Sequence, residues 1–186
     1  MGVVIVMTLT SSRQFPKAKS SSFTLVELLV VISIIGMLAG LGMPAINGAI
    51  QAGKKAEVAA MAESIKMAVN AFYAEYSAYP SSSGKTDLVF LNMMSTTNIT
   101  VGNSRGIAFL EVPPKFTNGS GIVTPKGFYS GTGRSNFFVL IDTQGLGYVN
   151  PNSVSSVTNK NVASSLAVWV VDPKDTKGQK AVGTFK

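Results

Sequence analysis

The longest feature of the hydrophobic pattern is a run near the N-terminus. From Leu28 to Gly53 no residue is charged, and Leu28–Ile46 is almost wholly apolar. About 20 such residues suffice for a helix to cross a bilayer. After Lys54-Lys55 the pattern turns one-sided. Val58, Met61, Ile65, Val69, Phe72 and Tyr76 recur at spacings of three and four, as on one face of a helix. Glu57, Glu63, Lys66, Asn70 and Glu75 fall mainly on the other face. Pro80 and the Ser81–Gly84 run stop the pattern. The expectation is one continuous helix from about Thr24 to Ala78, roughly 80 Å long at 1.5 Å per residue.

Gly36, Gly40, Gly42 and Pro44 interrupt its first half. Each glycine costs about 1 kcal/mol against alanine, and proline removes a hydrogen bond. This stretch is read as a place where the helix bends or unwinds. Gly36-x-x-x-Gly40 also suits close helix packing.

Beyond Ser81 the chain is rich in Ser, Thr, Asn and Gly. Three stretches have strand character: Ile107–Val112, Phe137–Ile141 and Leu166–Val171, the last two each ending in aspartate. The expected fold is α+β, with a small antiparallel sheet covering the helix stripe. Pro113-Pro114 and Gly145–Asn150 read as turns.

Composition narrows the chemistry. There is no cysteine and no histidine in the 186 residues. Disulfides, thiolate metal sites, cysteine nucleophiles and histidine general bases are therefore excluded. Ser and Lys are present, but no spacing marks a nucleophile with its base, so a membrane-anchored enzyme is the least favoured class. The net charge is +7. Arg13, Lys17 and Lys19 precede the apolar run, which by the positive-inside rule places the N-terminus in the cytoplasm and the rest outside. The remaining cations are scattered. Only Lys54-Lys55 and the tail (Lys174, Lys177, Lys180, Lys186) approach a patch, and a solvated surface is the simpler reading. Nucleic acid is not expected as a partner.

Glu27 is the anomaly, a carboxylate at the head of an apolar run with no cation beside it. Secretory signal peptides and plain signal anchors leave it unexplained. A second oddity is the apolar Gly2–Leu9 stretch ahead of the basic residues. It leaves open whether translation starts at Met1 or Met7.

The segment Phe23-Thr24-Leu25-Val26-Glu27-Leu28-Leu29, behind a basic leader, resembles the N-terminus of type IV prepilins and type II secretion pseudopilins. Pro44 falls where many of these proteins carry a kinking proline. Ala71–Pro80 (AFYAEYSAYP) is similar to the end of the long helix in the major pseudopilin. The resemblance covers about residues 17–80.

That resemblance implies a leader over 1–22, a transmembrane and assembly helix over 23–53, an amphipathic half over 54–80 and a periplasmic β domain over 81–186. It implies cleavage between Ser22 and Phe23 by an inner-membrane prepilin peptidase, with N-methylation of Phe23. Ser22 departs from the usual glycine before the cut. Glu27 is then expected to pair with the Phe23 amine of a neighbouring subunit in a filament. The implied partners are copies of itself, related pseudopilins and an inner-membrane secretion platform. The implied function is a structural subunit of a type II secretion filament. The alternative is a type IV pilin for adhesion, motility or DNA uptake. The family's calcium loop has no acidic residue here between Thr143 and Val171. Asp172 and Asp175 are two loop aspartates, so no metal or other cofactor is expected.

Overall fold

The computed structural model describes residues 23–97, 99, 102–158 and 161–185. The expectations for the leader, Ser22, the start codon and Lys186 lie outside the described residues. The chain divides into two compact units, residues 1–44 and 45–186.

The described part of the first unit is helical from Leu25. It forms the start of α1 (Leu25–Tyr76), a helix of 52 residues. Its apolar side chains are exposed from Leu25 to Met43. In water such a surface is strongly unfavourable. Among the described residues α1 is the helix long and apolar enough to cross a membrane. Gly36, Gly40, Gly42 and Pro44 all lie within it. A Cβ added at any of the three glycines would meet nothing within 4 Å. Packing within this chain therefore does not demand them.

In the second unit the remainder of α1 behaves as its period dictates. Val58, Met61, Ile65, Val69 and Phe72 are buried, joined by Ala62 and Ala68. The helix ends at Tyr76, where Ser77 takes a left-handed conformation (φ 51°) and donates its N–H to the Tyr73 carbonyl at 2.8 Å. Such a residue just past the last turn is a common helix stop. The aromatic end is pinned by Tyr76, whose hydroxyl donates to Oδ1 of the buried Asn103 at 2.8 Å.

The sheet has three antiparallel strands in the order β1 (Phe138–Ile141), β2 (Leu166–Val171), β3 (Ala181–Gly183). Phe138 pairs with Trp169, and Trp169 with Gly183. The α+β expectation holds. Both faces of β2 are buried. Leu166, Val168 and Val170 join the α1 stripe in the main core, while Ala167 and Trp169 meet Val149 and Val157 in a second cluster. A strand covered on both sides reads as a continuous apolar run rather than an alternation, which explains LAVWVV. Trp169 stacks on Phe138 with centroids 5.4 Å apart. Gly183 opposite it is a steric requirement, because a Cβ there would lie 2.2 Å from the Val168 carbonyl oxygen.

Ile107–Val112 is not a strand. It runs extended beside a short helix that the periodicity did not reveal, α2 (Leu88–Ser95). The amides of Phe109 and Leu110 both donate to the Met94 carbonyl, at 2.8 and 2.9 Å. Its backbone is thus partly satisfied by a helix end, with no strand partner, while Leu110 is buried and Phe109 packs edge-on against Phe72. The apolar content was read correctly; the partner was not. Asp87 caps α2, accepting from the Phe90 amide at 3.0 Å. The Pro113-Pro114 turn tightens into a single 3-10 turn, Pro114–Phe116, whereas in Gly145–Asn150 Val149 bridges Val162 and the 3-10 turn follows at Pro151–Ser153.

Candidate processing and assembly site at the start of the long helix

Thr24 and Glu27 organise the head of α1. Thr24 is the last residue before the helix, and its hydroxyl oxygen accepts the Glu27 N–H at 3.2 Å. Glu27 reaches back, with Oε2 accepting the Thr24 N–H at 2.8 Å and the Thr24 hydroxyl at 2.7 Å. This is a reciprocal capping box, in which two N–H groups that a helix start leaves unpaired are both satisfied. The helix dipole adds to the stabilisation of a negative charge in this first turn. Thr24-x-x-Glu27 is the sequence signal for it. Glu27, which has no cation beside it in sequence, thus finds its partners in the Thr24 backbone and hydroxyl.

The box engages one carboxylate oxygen. Among the described residues no donor faces Oε1. Phe23 stands just outside, 77% exposed. The arrangement therefore presents an aromatic residue at the head of an apolar helix, with a carboxylate one turn in that is oriented by its own backbone and retains an open acceptor.

The other acidic residues singled out are occupied. Asp172 pairs with Lys55 at 2.6 Å and accepts the Lys174 amide at 2.8 Å. Asp175 accepts the amides of Lys177, Gln179 and Lys180. Partial desolvation pushes the Asp175 pKa up, and these amides outweigh it, so the group sits below its ordinary value. Asp142, at the end of β1, closes the following loop in the same manner. It accepts from Leu146, Gly147 and Gln144, and the Leu146 amide above all lowers its pKa. Carboxylate-to-amide bonds thus hold both loops. Among the described residues no three acidic side chains converge as a metal would require.

Elsewhere the Tyr129 hydroxyl donates to the Val171 carbonyl at 2.8 Å. Burial pushes its pKa up to about 12.

Comparison with known proteins locates the signal at the same end. Residues 17–43 match the family model described as the prokaryotic N-terminal methylation motif. Phe23, Glu27, Gly36, Gly40 and Gly42 all fall inside that span, and Pro44 directly follows it. A fimbrial protein of Neisseria meningitidis serogroup A is 37% identical over 59 residues, which is 32% of this chain and 35% of the relative. The match thus spans about a third of that protein's length. No solved structure matches. Helix, motif and similarity together fit an inner-membrane, single-pass protein. The chain thus carries a segment that matches a prokaryotic N-terminal methylation motif and is similar, over about a third of its length, to a fimbrial protein.

Proposed function

We propose that the chain is a structural subunit of a membrane-assembled filament, specifically a pseudopilin of a type II secretion system. The leader is cut between Ser22 and Phe23, the new Phe23 terminus is N-methylated, and the subunit waits in the inner membrane with its C-terminal unit in the periplasm. The observation that carries the reading is the capped Glu27 with one oxygen open at the head of an apolar helix.

Processing supplies the missing cation. A charged carboxylate at bilayer depth costs about 2.5–3.5 kcal/mol on insertion scales. The Thr24 bonds reduce that cost without supplying opposite charge. Cleavage turns the Phe23 amide into an amine, and in a filament the amine of one subunit meets Glu27 of the next. An ion pair buried among packed helices adds little net stability, because desolvation offsets attraction. Breaking it leaves an orphan charge, so it sets register. Gly36, Gly40, Gly42 and Pro44 are assigned to bending or local unwinding of α1 as subunits pack. The glycines suit that role because no neighbour within the chain requires them. Copies of the chain, related pseudopilins, a prepilin peptidase and a secretion platform are the partners in this reading.

Secretion is favoured over adhesion by the aromatic stretch that runs past the end of α1 into Tyr79-Pro80 and by the lack of any cysteine for the C-terminal disulfide common in adhesive pilins. Deletion should stop export of periplasmic substrates, and the protein should co-purify with the secretion platform. Unchanged export would refute the assignment. The similarity to a fimbrial protein favours a second reading, a type IV pilin subunit. Long surface filaments lost on deletion, with export intact, would establish that one.

A further inference from the structure

The fold brings together two groups of lysines that lie more than a hundred positions apart in sequence. Lys54 and Lys55 end the uncharged run of α1. Lys55 bonds to Asp172 at 2.6 Å, which draws the 172–180 loop, with exposed Lys174, Lys177 and Lys180, onto this turn of the helix. Lys54 donates to the Gly127 carbonyl at 2.9 Å, and the neighbouring Lys126 is exposed. The acids on this face are committed, Asp172 to Lys55 and Asp175 to three backbone amides of its own loop. The charge left unbalanced is positive.

The position of this face on the helix matters. Ile46 and Ile50, in the same compact unit, are 57% and 49% exposed. They stand two turns and one turn before Lys54 on the same face, since side chains four apart align. Exposed isoleucine, exposed isoleucine, lysine is the sequence of environments found where a helix leaves lipid for the headgroup layer. A groove of about 640 Å³ opens beside it, lined by Lys55, Ala56, Ala59, Lys180 and Val182 among others. Its rim carries Lys180 and the Lys55–Asp172 pair, and its small apolar wall leaves room beside Lys180 for a phosphate with the start of its glycerol.

We propose that this lysine face binds anionic phospholipid headgroups of the outer leaflet of the bilayer that holds α1, docking the C-terminal unit on the membrane before assembly. The proposal rests on the membrane-spanning part of the reading above and not on the secretion assignment. Docking orients the subunit, and its loss on extraction into a filament exchanges lipid contacts for subunit contacts.

The test uses the full chain in nanodiscs. Because it has no native cysteine, Thr176→Cys carries a single donor dye and the acceptor sits on lipid headgroups. Energy transfer should be higher in phosphatidylcholine doped with phosphatidylglycerol than in phosphatidylcholine alone. It should fall between about 0.1 and 1 M salt, as the Debye length shrinks from about 10 to 3 Å. Each lysine near an anionic surface is worth about fivefold in partition, so combined Lys174→Gln, Lys177→Gln and Lys180→Gln should lower the docked-to-free ratio by up to about a hundredfold. Buried Trp169 reports by its fluorescence that this variant is folded. Equal transfer in the two bilayers, or an unchanged ratio in the folded triple variant, overturns the proposal. So does protection of the 172–180 amides by soluble polyglutamate with no response to anionic lipid, which would assign the face to an acidic protein. A label at Leu38→Cys should be quenched by bromine on the lipid chains. Its failure overturns the membrane span itself, a different result from loss of headgroup response with Leu38 quenching intact.

Discussion

Glu27 has two roles that a single alanine substitution confounds, capping α1 and presenting a charge, and the capping geometry separates them. Glutamine also serves at the third position of a capping box. Glu27→Gln therefore keeps an oxygen for the Thr24 N–H and hydroxyl, now 2.8 and 2.7 Å from Oε2, while removing the charge. Thr24→Ala does the reverse. It deletes the hydroxyl that accepts the Glu27 N–H at 3.2 Å and leaves the carboxylate charged. Losing such a cap costs about 1 kcal/mol, felt as faster hydrogen exchange over the first turn of α1 and about a fivefold rise in its opening. Removing one partner of a buried ion pair costs about 3–5 kcal/mol, because the other charge stays buried alone. On that scale Glu27→Gln weakens subunit addition by about two to four orders of magnitude. The assay pairs hydrogen exchange on the detergent-solubilised subunit with sedimentation of sheared filaments. The expected pattern is crossed: Glu27→Gln has a normal first turn and no filaments, whereas Thr24→Ala has a frayed first turn and filaments. Normal filaments from Glu27→Gln refute the intermolecular pairing. Equal loss of filaments in both variants makes the cap, rather than the charge, the requirement.

Three further outcomes concern the C-terminal unit. Buried Thr86 donates its hydroxyl to the Ile122 carbonyl at 2.6 Å and receives the Phe137 N–H at 3.0 Å. Thr86→Val keeps the shape but orphans both, so it should destabilise by about 2–4 kcal/mol in denaturant unfolding; a change under about 0.5 kcal/mol would contradict this. The pKa values of Asp142 and Asp175 lie below ordinary carboxylates, so the stabilisation of their loops is present above the unfolded value of about 4 and is lost as pH falls through the folded values. Protection factors, with the intrinsic pH dependence of exchange divided out, should fall at the amides of Gly147 and Lys180 on acidification into that range and stay flat above it, and Asp175→Asn should remove that dependence at Lys180. Tyr129 shifts in the opposite direction. Its neutral form is preferred by the fold up to about 12, so its contribution is complete below the unfolded value of about 10 and disappears as pH rises through 12. Tyr129→Phe should remove a step near 12 from an ultraviolet titration of the tyrosines.

The helix and its buried stripe were legible because α1 is long and its period repeats over many turns, from Val58 to Phe72. Leu166–Val171 was legible because a strand covered on both faces is apolar throughout, and Phe138–Ile141 because its apolar run is bounded by turn residues. What escaped was short or depended on a distant partner. The helix α2 is eight residues of LVFLNMMS, too few to show a period, and its one signal was Asp87 three residues before Phe90. Strand β3 is three residues, AVG, and exists because Gly183 permits close approach to Trp169. Ile107–Val112 had the composition of a strand but found its hydrogen bonds at the end of a helix. At the candidate site the sequence marked Glu27 and missed Thr24, although Thr-x-x-Glu before an apolar run is a recognisable pattern. The loop roles of Asp142, Asp172 and Asp175 were invisible, since carboxylates that bind amides look the same in sequence as solvated ones.

The central claim is that processing exposes the Phe23 amine as the partner for Glu27. Intact-mass and N-terminal peptide mass spectrometry of the protein recovered from membranes tests it most directly. The mature chain is expected to begin at Phe23 and to carry one N-methyl group. A mature chain that starts at any other residue, or retains the leader in assembled material, contradicts it.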